Sequence, residues 1–306
     1  MTESKRARLL VVGNIASEVL RILGESYELV RDQDLPPGPL PGFDIALTNS
    51  MFGADAALMD SLPDLRFIAC QGVGLDQIDL PEARRRGIVV CHTPDSVTRD
   101  TADFAIALMF AAARRLAEAD RFVRSGQWAG QRFAPTRRVS GKRMGVVGLG
   151  KIGGLIAQRG AGLDLEVAYC TRTPRPEQPY PHFASVPELA GWADYLVMAC
   201  PGGSETRHLV NAEVLERLGP QGFLINVARG SVVDETALIA ALRAKTIAGA
   251  GLDVFENEPN IDPALLELDN LVLTAHVAAQ TYETQADIAG HLRSGIDAFL
   301  AARAGV

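Results

Sequence analysis

The sequence lacks a surplus of positive charge. Its 30 Lys and Arg are outnumbered by 37 Asp and Glu, a formal net charge of -7. A nucleic-acid surface works by neutralising phosphates with Lys and Arg, so no nucleic-acid partner is expected. Long apolar runs are also missing. The longest mostly apolar stretch without charge is 104–113, about half of the ~20 residues that span a bilayer as a helix. Near the N-terminus the basic stretch Lys5-Arg6-Ala7-Arg8 is followed by only four apolar residues, Leu9 to Val12, whereas a secretory core needs roughly 7–15. A soluble, cytoplasmic protein with no membrane partner is expected. Cysteine is scarce: Cys70, Cys91, Cys170 and Cys200 form no Cys-x-x-Cys, and each ends or lies in an apolar run. That pattern excludes a zinc ribbon or a disulfide framework and predicts buried free thiols and no metal.

What is present is an ordinary globular composition, 47% apolar and 22% charged over 306 residues, enough for about two domains of roughly 150 residues each. Short apolar segments alternate with longer helical ones, which predicts α/β architecture with parallel sheets covered by helices on both faces. Strands are expected at 8–12, 45–48, 67–70 and 89–91. One long helical segment, 101–125, has no Gly or Pro inside. A second strand series follows at 143–147, 166–169, 195–199, 222–226, 247–252 and 271–273, and a last helix at about 282–302. Two doubly wound, Rossmann-like lobes are predicted, joined by two crossing helices. The final helix is expected to return to the first lobe. The expected domains are 1–98 with 284–306, and 99–283. No repeat or low-complexity tract occurs, and the Pro/Gly-rich segment 36–41 reads as a surface loop.

In such sheets ligands bind beyond the carboxyl ends of the strands, and the cofactor and catalytic candidates singled out below follow predicted strands. Gly148-Leu149-Gly150-Lys151-Ile152-Gly153 is a G-x-G-x-x-G turn with a strand before it and a helix after it, the context a dinucleotide site requires. The first glycine makes the turn, the second admits the pyrophosphate, and the third lets helix and strand pack closely. The competing reading is a purely structural turn. About 20 residues on, NAD-binding folds carry an Asp or Glu for the ribose. Here the strand ends in Tyr169-Cys170-Thr171-Arg172-Thr173-Pro174-Arg175, with no acid. Arg172 and Arg175 suit a 2′-phosphate, so NADPH is expected over a weaker NADH; the alternative is that they are solvated loop charges.

Three later features point to chemistry: Arg229 in Asn226-Val227-Ala228-Arg229-Gly230, Glu258 in Asp253-Val254-Phe255-Glu256-Asn257-Glu258-Pro259, and His276 after Leu273-Thr274-Ala275. Singly each is weak. Together, downstream of a dinucleotide turn, they describe reduction of a 2-oxo acid. Arg229 offers a planar fork for the carboxylate and polarises the carbonyl. His276 is the acid, and in the oxidative direction the base. The Glu258 carboxylate favours the imidazolium and orients the ring.

These residues resemble the D-isomer-specific 2-hydroxyacid dehydrogenases over almost the whole chain. The motifs that carry the resemblance are Gly72-Val73-Gly74-Leu75-Asp76 with Ile78-Asp79; Thr93-Pro94-Asp95; the turn at Gly148; Arg229-Gly230; Gly251 to Phe255 through Glu258-Pro259; and His276. The resemblance implies that Arg229, Glu258 and His276 are the catalytic trio and that the amides of Val73 and Gly74 hold the substrate carboxylate. It also implies that Asp253 lies beside the nicotinamide, and that Cys200, Pro201, Thr206, Val227, Ala228 and Ala278 line the cofactor with Thr171 and Thr173. Within the family the chain looks most like the NADPH-using hydroxypyruvate/glyoxylate reductases and their hydroxyphenylpyruvate reductase relatives. The residues behind this are Val139 to Arg143, Thr171 to Thr173, Glu205-Thr206-Arg207-His208 and Leu218-Gly219-Pro220. The extra regulatory domain of many phosphoglycerate dehydrogenases is not expected. Two departures stand out: the family's usual Pro before the His is Ala275, and its frequent Ser or Gly three residues later is Ala279.

Met51 and Phe52 are candidates to meet the substrate's C3 group. Trp128 and Phe133 follow the long helix, where relatives place an aromatic near a partner subunit's pocket, and a homodimer is expected. Plain core or dimer packing is the alternative for all four. Glyoxylate, hydroxypyruvate and a phenylpyruvate-like acid stay open as substrates. A non-catalytic dinucleotide-sensing protein like the corepressor relatives, and a dehydrogenase of formate or phosphite, are the competing classes.

Overall fold

In a computed structural model the described residues are 6–36 and 38–304. Lys5 of the basic stretch and Pro37 of the Pro/Gly-rich loop lie outside them. The chain forms two compact units, residues 1–97 with 280–306, and residues 98–279.

The first unit holds a parallel sheet of β1 (Arg8–Val11), β2 (Glu28–Arg31), β3 (Ile45–Asn49), β4 (Phe67–Gln71) and β5 (Val89–His92), in the order β2-β1-β3-β4-β5. Leu9, Ile45, Phe67 and Val89 stand in one register across four strands. Such strands, covered on both faces, need continuous rather than alternating apolar residues, and β3 is buried at every position. The helix Tyr282–Ala304 belongs to this unit. Its buried Ile288, Ala289, Leu292 and Ile296 recur at helical spacing, an apolar stripe facing the sheet. Phe299 meets Phe67 with ring centroids 5.0 Å apart, and the Tyr27 hydroxyl donates to Asp297 Oδ1 at 2.7 Å.

The second unit holds seven parallel strands: β6 (Arg143–Val147), β7 (Glu166–Cys170), β8 (His182–Phe183), β9 (Tyr195–Met198), β10 (Phe223–Asn226), β11 (Gly249–Leu252) and β12 (Leu271–Leu273). Their order, β12-β11-β10-β9-β6-β7-β8, reverses between β6 and β9. A crevice opens at such a switch point. The helix Thr98–Arg114 buries Thr101, Ala102, Ala105, Leu108, Met109, Ala112 and Ala113 along one face. Gly251 lets it approach the sheet, since a Cβ there would stand 2.7 Å from Leu108 Cγ.

The long helix expected over 101–125 is two helices. It breaks at Arg115, which takes the left-handed conformation at φ 51°, before Leu116–Arg124. Arg115 covers the Phe133 ring at 5.2 Å and pairs with Glu118. Two strands escaped the sequence pattern, β2 and β8. Both lie at sheet edges; β2 is Glu-Leu-Val-Arg, charged at both ends, and β8 is two residues long. The cysteines are free, as the sequence implied, and burial raises the thiol pKa of each, for Cys70 and Cys200 to about 11.

Candidate active site

The glycine turn follows β6 at the switch point. Gly148 adopts φ +91°, and a Cβ on it would lie 2.8 Å from Ala199 O and Cys200 Cα. Only glycine fits there. A Cβ on Gly153 would stand 1.9 Å from Gly148 O, so this residue lets the helix Lys151–Gly162 start flush against the strand. Gly150 is the N-cap of that helix, with no side-chain cap and no atom within 4 Å of an added Cβ. The open face at Gly150 and the helix N-terminus beside it suit an anionic pyrophosphate. A dinucleotide therefore fits the residues present. Leu149 is buried beneath the turn, while Lys151 and Ile152 open the helix.

The loop after β7 carries Thr171 to Arg175. The Thr171 hydroxyl donates to Thr173 O at 2.8 Å, and the Tyr169 hydroxyl accepts from the Arg175 amide at 2.7 Å. Arg172 forms an ion pair with Glu205 from the loop after β9. That second loop, which carries Cys200 and Pro201 near its start, folds on itself, Thr206 Oγ1 donating to Pro201 O at 2.8 Å.

Arg229 is aimed by two residues the sequence reading passed over. Asn226, fully buried at the end of β10, accepts from the Ala228 amide at 3.0 Å and donates to Arg229 O at 3.0 Å, which closes the turn through Val227. Gly202 makes room for the Arg229 chain, since a Cβ there would stand 2.9 Å from Arg229 Cγ. Neither follows from sequence spacing, because each acts through a partner fixed by the fold.

After β11 and β12 come the two loops that carry Glu258 and His276. Asp253, 1% exposed, ties them together. Its carboxylate accepts from Thr274 Oγ1 at 2.6 Å, Val277 N at 3.0 Å and Ala278 N at 2.9 Å, and its carbonyl accepts from His276 N at 2.8 Å. This anchoring of the His276 turn is a use of Asp253 that the sequence did not suggest. It holds His276 in the left-handed region, φ 53°, sparsely populated for a residue with a Cβ. His276 Nδ1 lies 2.7 Å from Glu258 Oε2, and Glu258 Oε1 accepts from the Phe255 amide at 2.8 Å. Burial pushes the Glu258 carboxyl up. The His276 contact, the Phe255 amide and the charge of Arg229 outweigh it and hold the carboxyl below its ordinary value. The trio thus shares one electrostatic environment.

A further acid supports these loops. Glu235, 7% exposed, accepts the Glu256 amide at 2.6 Å, and burial raises its pKa. Glu256 in turn meets Arg207 and His208, each at 2.8 Å. Gly230 is pressed against the Phe255 carbonyl, a Cβ there lying 1.8 Å from its carbon, so the Arg229 and Glu258 loops are in direct contact.

In the first unit, Val73 and Gly74 follow β4 in a turn opened by Gly72 at φ +118°. The buried Thr93 holds it, accepting the Gly72 amide at 3.0 Å, and the His92 ring meets Val73 O at 3.0 Å. Met51 and Phe52 follow β3, 45% and 57% exposed, with both amides donating to Asn49 Oδ1. Trp128 is 69% exposed, while Phe133 packs edge-on against Phe122 at 5.4 Å.

Residues 106–278 match the D-isomer specific 2-hydroxyacid dehydrogenase NAD-binding domain. A hydroxyphenylpyruvate reductase of Plectranthus scutellarioides is 46% identical over 237 residues, 78% of this chain and 76% of the relative. A 2-ketogluconate reductase of Gluconobacter oxydans has the same identity over the same shares. Among solved structures, an NADPH-dependent glyoxylate/hydroxypyruvate reductase from Sinorhizobium meliloti, in complex with NADP and malonate, superposes with a TM-score of 0.89 at 40% identity. The match covers 96% of this chain and 94% of that one. With the seven-stranded dinucleotide fold, the glycine turn and the Glu258–His276 pair, these matches establish that the chain belongs to the D-isomer specific 2-hydroxyacid dehydrogenase family.

Proposed function

We propose that the protein is a reductase of small 2-oxo acids of the glyoxylate and hydroxypyruvate class, forming the D-2-hydroxy acid with NADPH preferred over NADH. The observation that carries this reading is the Glu258–His276 pair at 2.7 Å, with the charge of Arg229 acting on the same carboxylate. Arg229 binds the substrate carboxylate through its fork and polarises the neighbouring carbonyl. Glu258 occupies His276 Nδ1 and orients the ring, which leaves Nε2 to hold the proton that passes to the carbonyl oxygen. When bound, the dinucleotide supplies the hydride. Gly148, Gly150 and Gly153 seat its pyrophosphate, and Arg172 and Arg175 meet its 2′-phosphate. Leu149, Lys151, Ile152, Thr171, Thr173, Cys200, Pro201, Thr206, Val227, Ala228, Asp253 and Ala278 are assigned to the rest of it. The Val73 and Gly74 amides are assigned to the substrate carboxylate, which makes the first unit the substrate domain and the second the dinucleotide domain.

The exposed Met51 and Phe52 favour a second reading, a bulkier hydroxyphenylpyruvate-type substrate. A corepressor-like role is disfavoured by the intact trio. We also take the protein to be a cytoplasmic homodimer. Four free thiols suit a reducing compartment. The exposed Leu116, Val123 and Trp128 offer an apolar surface to a second copy. Among the described residues no helix is long and apolar enough to cross a membrane.

The test is NADPH oxidation against glyoxylate, hydroxypyruvate, pyruvate, phenylpyruvate and hydroxyphenylpyruvate, with the product's configuration determined. Turnover to a D-2-hydroxy acid is expected. Turnover of none of the five overturns the reading.

A further inference from the structure

The end of β7 carries no carboxylate: residues 169–175 contain neither Asp nor Glu. Yet a carboxylate stands at this place. Arg172, the first cation of the loop after β7, forms an ion pair with Glu205, 33 residues further along the chain. Strand order explains how they meet. β6 lies between β7 and β9, so the loops after β7 and β9 flank the carboxyl end of β6, separated by two strand spacings of about 4.8 Å each. The pair therefore bridges the edge from which the Gly148 turn emerges. The loop of Glu205 is held in place at its base, by the Thr206 bond to Pro201 O and by the close packing of Cys200 on Gly148.

We propose that Glu205 is a specificity-determining residue for the dinucleotide. It supplies, from the loop after β9, the carboxylate that NAD-binding folds place at the end of the second strand. The Arg172–Glu205 pair then serves two cofactors. The guanidinium receives a 2′-phosphate, while the carboxylate accepts from a ribose 2′-hydroxyl. Both side chains are mostly exposed, 80% and 71%. Pairs so exposed are weak, so either member is readily drawn off by a ligand. The two effects oppose each other. A 2′-phosphate gains Arg172 but is repelled by Glu205, which limits the preference for NADPH. A 2′-hydroxyl loses nothing to Arg172 and gains an acceptor, so NADH remains usable. This inference rests on the proposed assignment of Arg172 to the 2′-phosphate.

The test is calorimetric binding of NADP+ and NAD+ to the full-length protein, wild type and the variants Glu205→Gln, Arg172→Gln and the double variant. For Glu205→Gln, NADP+ should bind about two- to fivefold more tightly and NAD+ more weakly by a similar factor, the scale of one exposed charge. Arg172→Gln should weaken NADP+ and spare NAD+. In the double variant the two changes in NADP+ affinity should fail to add, as expected for residues in contact. Unchanged affinities in Glu205→Gln, or equal weakening of both cofactors, overturn the role of Glu205 while leaving Arg172 in place. Unchanged NADP+ affinity in Arg172→Gln overturns the phosphate assignment itself, and the inference with it.

Discussion

Glu258 holds His276 Nδ1 at 2.7 Å with one oxygen while its other oxygen is fixed by the Phe255 amide at 2.8 Å. The imidazole therefore has a carboxylate partner that cannot rotate away. That partner fixes which ring nitrogen faces the substrate and how the ring is turned. In Glu258→Gln the charged partner is lost, and kcat/KM for 2-oxo acid reduction should fall while dinucleotide affinity, read by calorimetry, stays within a small factor of wild type. Wild-type kcat/KM would separate Glu258 from the work of His276.

Removing His276, the proposed acid, should be more severe. His276→Ala should lower kcat by about 10²–10⁴-fold, the usual contribution of a positioned general acid. Calorimetry should show dinucleotide affinity within a small factor of wild type, because the glycine turn lies on a different strand.

The glycines of the turn should fail in different ways. At Gly153 an added Cβ would stand 1.9 Å from Gly148 O, so Gly153→Ala should lower Tm and affinity together. At Gly150 the backbone is ordinary, φ -73°, and nothing lies within 4 Å of an added Cβ. Gly150→Ala should keep the wild-type Tm and lose dinucleotide affinity. Equal Tm losses would mean that Gly150 serves the fold rather than the ligand.

Asp253 collects three donors on its carboxylate. In Asp253→Asn one side-chain oxygen becomes a donor and strands at least one of them. A buried polar group left unmatched costs about 1–3 kcal/mol, measurable by urea unfolding. Because the same bonds shape the turn of His276, kcat should fall as well. Wild-type stability would mean that the turn holds without its anchor.

Two neighbouring acids, Glu258 and the helical Glu235, should respond to pH with opposite signs. Glu258 is depressed below its ordinary value. Its contribution to stability is present above the unfolded pKa and is lost as pH falls through the folded one. Glu235 is raised by burial, so its ionisation opposes folding as pH climbs above the unfolded pKa of about 4.3. Urea unfolding between pH 3.5 and 7 should show Glu258→Gln losing ground to wild type as pH rises, and Glu235→Gln gaining it. Parallel trends in the two variants would contradict the assignment.

The sequence spoke clearly wherever one residue type alone meets a need. Gly148 and Gly153 are legible because any Cβ would collide with backbone. The buried strands are legible because both faces are covered. Arg115 was illegible for the opposite reason: a helix broken by an ordinary residue at φ 51° leaves no Gly or Pro as a mark. The edge strands β2 and β8 were missed because a one-sided or two-residue strand needs little apolar sequence. In the site, the trio could be read from chain order, but Asn226 and Gly202 could not. Their value depends on Arg229 lying beside them, and only the fold brings that about.

All seven strands of the second unit run the same way. The segments with assigned chemistry in this unit leave from the carboxyl ends, so the loops at the amino ends carry none of it. Asp164 and Lys245, both exposed and both at such loops before β7 and β11, are therefore natural anchorage points. A linker or surface attachment there should hold the enzyme by the edge opposite its glycine turn and leave turnover intact.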